Sequence, residues 1–224
     1  MGSEGMQVVF FRGAGRLQPV QQFLEELERP ERRAAADSQV DRLGALSTDD
    51  PPLPPPWDEQ VEAELRALRI RVGRESFRVL YRRSGTLFIL LHAFEERGQA
   101  IPEDEMRIAR RNNARSKVVR RSGTSGLDTP IGLSFEAHIA AAELDDEYRR
   151  ARARLAPFEQ VARLLIRYRM DHGLSQTQLA ERAGISHSVV SRIETGQHRT
   201  NLETLGKIAL ALGRRLAISF LPPP

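Results

Sequence analysis

The period of the apolar positions changes along the chain, and each change marks an element. Gln7–Arg12, QVVFFR, is a run of β-branched and aromatic residues and predicts a strand. From Leu17 to Glu28, Val20, Phe23, Leu24 and Leu27 recur at helical spacing, an amphipathic helix. Pro30 ends it, and a second helix follows with Ala34, Val40, Leu43 and Leu46. Asp49–Pro56, DDPPLPPP, suits neither helix nor central strand and reads as a stiff surface loop. Beyond Leu65 the period shortens to two. LRALRIRV, ESFRVLYRR and TLFILLHAF predict three strands, with Gly73 and Ser84-Gly85 in connections short enough for antiparallel hairpins. The last of these is almost wholly apolar, as a central strand covered on both faces would be. Pro102 opens a polar helix, PEDEMRIARRNNARS, acidic in its first turn and basic later, in the sense the helix dipole favours. The first half thus reads β-α-α-β-β-β-α, an α+β domain with an antiparallel sheet.

The second half reads differently. Ser116–Gly132 is a linker by composition, and Leu133–Tyr148 is an amphipathic helical stretch carrying Phe135, Ile139 and Leu144. It is either an element that covers the first domain or simply an extra packing helix. Leu174–Glu194, LSQTQLAERAGISHSVVSRIE, holds two short helices and a sharp turn. Ser175 and Gln178 form a capping box, Ala180 is small enough for close helix approach, and Gly184 supplies left-handed backbone for the turn. Ser186 can cap the next helix, in which Val189, Val190 and Ile193 point inward. Ser186, His187, Ser188, Ser191 and Arg192 are left outside. A further amphipathic helix, TNLETLGKIALALG, follows, and Arg215–Leu221, RLAISFL, predicts a short strand that could pair with its copy in a second subunit.

With 224 residues and 40% hydrophobic content, two compact domains are plausible. MGSEG reads as a tag or a loose start, with Met6 a possible initiator. There is no cysteine, which excludes disulfides and thiolate chemistry and suits a reducing cytoplasm. No signal-peptide pattern and no bilayer-length apolar run are present, so neither membrane partner nor membrane span is expected. Net charge is only +4, but of 34 basic residues all except Lys117 and Lys207 are arginine. Arginine's rigid fork suits phosphate oxygens, and a GC-rich genome would give the same bias.

The helix-turn-helix resembles the phage-repressor-like (XRE, Cro/C1-type) DNA-binding domains over about residues 157–213, including the E-T-G-x turn at Glu194–Gln197. That resemblance places Gln176 at a helix N-terminus on a phosphate. It makes Ser186, His187, Ser188, Ser191 and Arg192 base-edge candidates in the major groove, and Gln197, His198 and Arg199 backbone contacts. It also implies a homodimer on a palindromic operator. In the first half, L-R-x-R, then F-R-V-L-Y, then L-L-H-x-F, then I-P and a basic helix resemble RelE/ParE-superfamily toxins of the HigB or phage Gp49-like group, over about residues 6–116. Those toxins cleave mRNA on the ribosome, and toxin followed by XRE antitoxin is the HigBA gene order. The expected division is a toxin domain 6–116, a linker 117–132 and an antitoxin domain 133–224.

Metal-free RNA scission needs a base for the 2′-hydroxyl, cations for the phosphorane and an acid for the leaving oxygen. By alternation Arg69 and Arg71 share one strand face, Arg78 and Arg82 share a face of the next strand, and Phe77, Val79 and Tyr81 line the other. The resemblance gives Arg69 and Arg78 to phosphate charge, Tyr81 to base stacking and His92 to acid or base work, with Arg97 the remaining cation after the H-x-F motif. His92 can equally be a hydrogen-bonded core histidine. The chain departs from the toxin pattern where Glu95 and Glu96 replace cations and where Ala67 replaces an acid. Neither P-loop, dinucleotide turn nor metal-ligand spacing is present, and Gly13-Ala14-Gly15 is a lone G-x-G, so no cofactor is expected. Two functions remain: a toxin–antitoxin fusion whose endoribonuclease is neutralised in cis, or a DNA-binding regulator with a degenerate toxin-like interaction domain.

Overall fold

A computed structural model describes residues 5–117, 120–121, 127–128 and 130–218. The chain forms two compact units, residues 1–157 and 158–224, each treated separately below. In the first, β1 (Gln7–Phe11) is followed by a 3-10 turn (Ala14–Arg16), α1 (Pro19–Glu25) and α2 (Pro30–Gly44). Then come β2 (Asp58–Glu62), β3 (Leu65–Val72), β4 (Glu75–Ser84), β5 (Leu87–Glu95) and α3 (Glu103–Ser116). A two-stranded pair, β6 (Arg120–Arg121) with β7 (Leu127–Asp128), precedes β8 (Ile131–Ser134) and α4 (Phe135–Ala142). Helix α5 (Asp146–His172) contains Pro157, where the division between the units falls.

The α+β class and the hairpins β3–β4–β5 are as the alternation predicts. Gly73, at φ 62°, makes the β3–β4 turn in a conformation that costs a residue with a Cβ. The main sheet has six strands in the order β2-β3-β4-β5-β1-β8. β1 runs parallel to β5 and antiparallel to β8, so the first strand of the chain is an interior one. Strand β2 was not legible in the sequence, because three of the five residues of DEQVE are acidic and the strand lies at the sheet edge, where one ladder of hydrogen bonds goes unpaired.

Each face of the sheet carries its own core. On one, Met106 and Ala109 of α3 pack on Val9, Phe11, Ala67, Leu80, Ile89, Leu91 and Phe94. On the other lie α1 and α2, with Phe23 edge-on to Phe77 at 5.4 Å and the Arg42 guanidinium over the Trp57 ring. Tyr81 points into this second core. It is 1% exposed, and its hydroxyl donates to Asp58 Oδ2 at 2.9 Å, so it cannot stack on a base as the toxin resemblance implies. Asp58 also accepts from Arg66 Nε at 2.9 Å. Burial pushes the Asp58 carboxyl up to about 6, against the opposing pull of Arg66 and Tyr81, and pushes the Tyr81 hydroxyl up as well.

Residues 131–157 correct the expected boundary at 132. Ile131 and Ser134 pair with Phe11 and Val9, and Phe135 packs on Phe10 with ring centroids 5.9 Å apart. Ala142, Tyr148 and Ala151 meet Ala34 of α2. Beneath them, Asp37, fully buried, accepts from the Tyr148 hydroxyl at 2.6 Å and lies 3.4 Å from His138 Nε2. A buried carboxylate needs such donors, and α2 cannot supply them alone. Within the expected Leu133–Tyr148 helix, Leu133 and Ser134 are strand, and Leu144 is exposed. The segment is attached through β1 and α2, while the arginine-bearing strands β3 and β4 lie beyond β5.

In the second unit, α6 (Gln176–Ala183), α7 (His187–Glu194) and α8 (Leu202–Ala211) surround a core of Leu165, Leu179, Ala180, Ala183, Val190, Ile193 and Ile208. Residues 215–218 are not strand; the remainder of the expected strand lies outside the described residues. Among the described residues, no helix is long and apolar enough to cross a membrane.

Two outcomes test these buried polar groups. Tyr148→Phe leaves Asp37 short of a donor and should destabilise the first unit by roughly 1–3 kcal/mol in chemical denaturation; a change within experimental error would show that the contact contributes nothing. Because Asp58 keeps its proton to a higher pH when folded than the ordinary 3.8, the folded state binds more protons between about pH 4 and 6. Stability from this group should fall as pH rises through that window, by about 2–3 kcal/mol in all. Denaturation at pH 4.5 and pH 7 should show this slope in the parent and not in Asp58→Asn.

Candidate phosphate and nucleic-acid sites

Antiparallel pairing sets Arg69 of β3 directly opposite Arg78 of β4, on the face that carries α3. One carboxylate oxygen joins them. Arg69 Nη2 donates to Glu96 Oε1 at 2.5 Å, and Arg78 donates to the same oxygen from Nε at 3.0 Å and Nη2 at 2.7 Å. Arg78 is 3% exposed and is further held by Glu59 through Nη1 and by the Gln99 carbonyl, 2.7 Å from Nη2. Glu96 reaches this position because its backbone N–H donates to the Ser76 carbonyl at 2.8 Å, extending the β4–β5 pairing by one residue. Burial works to raise the Glu96 carboxyl, but the hydrogen bonds and charges of Arg69 and Arg78 outweigh it and hold it below the usual carboxylate range.

His92 shares this face, two residues before Phe94, which is paired with Arg78. Its Nε2 bonds the Glu105 carboxylate of α3, and its ring stacks on Phe94 with centroids 5.8 Å apart. Its other ring nitrogen, Nδ1, is buried without a hydrogen-bond partner. Arg97 stands apart, 85% exposed, with Glu95 Oε2 at 3.6 Å. Of the five residues expected to carry RNA chemistry, the structure therefore joins Arg69 and Arg78 and sets His92 on the same face. It turns Tyr81 to the opposite face and leaves Arg97 on the loop. Glu96 and Glu59 are the members sequence reasoning missed. Alternation from His92 through Phe94 would have placed Glu96 beside Arg78; nothing signalled Glu59, whose strand was not recognised.

The second unit builds its face from caps outward. Ser175 Oγ accepts from the Gln178 N–H at 3.1 Å while Gln178 Oε1 accepts from the Ser175 N–H at 2.8 Å, the capping box the sequence predicts. Gly184 ends α6 at φ 60°, ψ 36°. Behind the two helices lies a buried ionic cluster, in which Glu194 Oε2 accepts from Arg169 Nη1 and from Gln176 Nε2, each at 2.7 Å. Gln176 is thus 5% exposed and its amide NH2 is committed to this cluster, which corrects its expected placement on a phosphate. Ser186 sits at the N-cap of α7, but its hydroxyl pairs with that of Ser188 at 2.9 Å and makes no capping bond.

What faces outward is the polar row of α7 and the loop after it. Ser186, His187, Ser188, Arg192 and Arg199 are exposed, and Ser191 and Gln197 are partly so. Arg192 is braced by its Nε donating to the Ser188 carbonyl at 3.2 Å. Burial, then the Arg192 charge, push the His198 imidazole below its ordinary value. A short helix fixed by a buried ion pair, presenting small hydroxyls and an arginine, has the size and chemistry for a DNA major groove.

Comparison with known proteins agrees with both halves. Residues 165–218 match the family model Helix-turn-helix, and residues 22–114 match the model Phage derived protein Gp49-like. The chain is 32% identical over 90 residues to an uncharacterized HTH-type transcriptional regulator of Haemophilus influenzae, covering 40% of this chain and 88% of the relative. It is 38% identical over 56 residues to Antitoxin HicB 1 of Photorhabdus laumondii, covering 25% of this chain and 36% of that protein. The chain thus belongs to the XRE-type helix-turn-helix regulators and carries, ahead of that domain, a Gp49-like domain of the RelE/HigB toxin type, the make-up of a toxin–antitoxin fusion.

Proposed function

We propose that the second unit binds operator DNA as a homodimer and represses transcription, and that the first unit is an mRNA endoribonuclease acting on the ribosome and neutralised within the fused chain. The DNA reading rests on the exposed row Ser186, His187, Ser188, Ser191 and Arg192, held rigid by the Arg169–Glu194–Gln176 cluster. Ser188 and Arg192 point to base edges, and Gln197 and Arg199 to the backbone beside them. A single domain of this size makes few contacts, so two copies on a palindrome supply the affinity.

The RNA reading rests on the Arg69–Arg78 pair with His92 on the same sheet face. Two guanidiniums can neutralise a phosphorane, and His92 and Glu105 are the acid or base candidates on the same face. Covalent linkage to the antitoxin unit gives a high effective concentration for neutralisation in cis. One observation favours a second reading, a regulator whose toxin-type unit is an interaction module: Arg78 is already saturated by Glu59, Glu96 and the Gln99 carbonyl.

Binding to DNA from upstream of the protein's own gene, followed by mobility shift, should weaken about tenfold to a hundredfold in Arg192→Ala, which removes one base-edge contact. Unaltered affinity with the fold intact would remove α7 from the interface. For RNA, residues 1–157 are the appropriate fragment, since 131–157 belongs to the first unit. Added to a translating extract, this fragment should create new 5′ ends on mRNA that the full chain does not create and that Arg69→Ala abolishes. A folded fragment that leaves mRNA whole selects the second reading.

A further inference from the structure

We propose that Glu96 is an in-chain stand-in for a phosphate. On this view, Arg69 and Arg78 form an anion site for a phosphodiester of single-stranded RNA, and the chain closes that site with its own carboxylate. The inference rests on the RNA reading above and adds a gate to it.

The geometry is that of a ligand in a site rather than of a surface ion pair. Three N–H donors from two strands converge on one oxygen, Glu96 Oε1, at 2.5–3.0 Å. Two guanidiniums focused on a single acceptor suit a non-bridging phosphodiester oxygen as they suit this carboxylate oxygen, since each anion shares one negative charge between two oxygens. Arg78 is almost fully buried, and taking a guanidinium out of water is costly unless an anion compensates it. The partners are unequal. Glu59 holds Nη1 from the edge strand β2, and the Gln99 carbonyl holds Nη2, so Arg78 keeps two acceptors if Glu96 departs. Arg69, 29% exposed, has Glu96 as its partner and a buried Nε with no hydrogen-bond acceptor. It offers the donor capacity and the solvent access through which a phosphodiester would enter.

Glu96 is also placed to leave. It lies just past the last residue of β5, and its neighbour Arg97 is on the exposed loop that leads to α3. Swinging its side chain out exchanges one anion for another and leaves the sheet pairing intact. With Glu96 in place the charges of Arg69, Arg78, Glu59 and Glu96 cancel; with Glu96 out, or neutral, the cluster carries one net positive charge facing solvent at Arg69.

The test uses the full-length chain and a short fluorescent single-stranded RNA, with binding read by anisotropy. Any affinity from the DNA-binding unit is common to all variants and drops out of the comparison. Glu96→Gln, which keeps the side chain's size and removes its charge, should bind about tenfold tighter than the parent or better, because the competing anion is gone. The gain should disappear when Arg69→Gln is added, and Glu95→Gln, one residue away, should show none. Equal binding by parent and Glu96→Gln, with unchanged circular dichroism and melting temperature, overturns the gate, as does a gain that survives Arg69→Gln. Mapping 5′ ends with the same substitutions made in residues 1–157, which lack the neutralising unit, separates the two readings. Tighter binding without cleavage keeps the gate and sinks the ribonuclease, whereas cleavage by the parent at the rate of Glu96→Gln keeps the ribonuclease and sinks the gate.

Discussion

A charge withdrawn from water must find a partner, and at four places in this protein a partner comes from a different element. Asp37 on α2 is met by Tyr148 and His138 from residues more than a hundred positions later. Asp58 at the edge strand takes Arg66 and Tyr81, Arg78 takes Glu96 and Glu59, and Glu194 takes Arg169 and Gln176. Apolar packing would tolerate small shifts of these elements, but ion pairs with donors and acceptors at 2.6–3.0 Å do not. Each cluster therefore fixes a register: α5 against α2, β2 against β3 and β4, the end of β5 against the arginine strands, and α7 against the helix before the motif.

How much of this was legible in the chain depends on the range of the interaction involved. Local patterns carried most of the elements: alternation gave β3, β4 and β5, Pro30 and Pro102 marked helix starts, and the Ser175–Gln178 box and Gly184 framed the helix-turn-helix. What escaped was non-local. Strand β2 exists because Arg66, Tyr81 and Arg78 supply partners for its acidic side chains, and no periodicity in DEQVE announces that. Tyr81 followed the alternation correctly onto the face with Phe77 and Val79, yet family likeness alone had given it to RNA; burial decided otherwise. Gln176 lost its phosphate role to Glu194 in the same way, since a carboxylate inside the core claims the nearest amide.

The two units show opposite uses of similar chemistry. In the second, a buried ion pair stands behind α7, and the outer row of that helix is left to hydroxyls, imidazole and the exposed Arg192. In the first, the arginines best suited to phosphate are turned inward onto the chain's own acids. A nucleic-acid-binding protein that is only weakly cationic overall is consistent with this arrangement, because much of its arginine is internally compensated.

The interior position of β1 bears on how the chain is made. β1 leaves the ribosome well before both its neighbours, β5, beginning at Leu87, and β8, beginning at Ile131. Both partners are far away in sequence, so the sheet closes late and at a high cost in loop entropy. A nascent chain that has emerged only as far as α3 presents β1 with one edge bare. Completion of the toxin-type unit is thereby coupled to synthesis of α4 and α5, the helix that leads directly into the helix-turn-helix unit, so strand order ties the folding of one unit to the translation of the other.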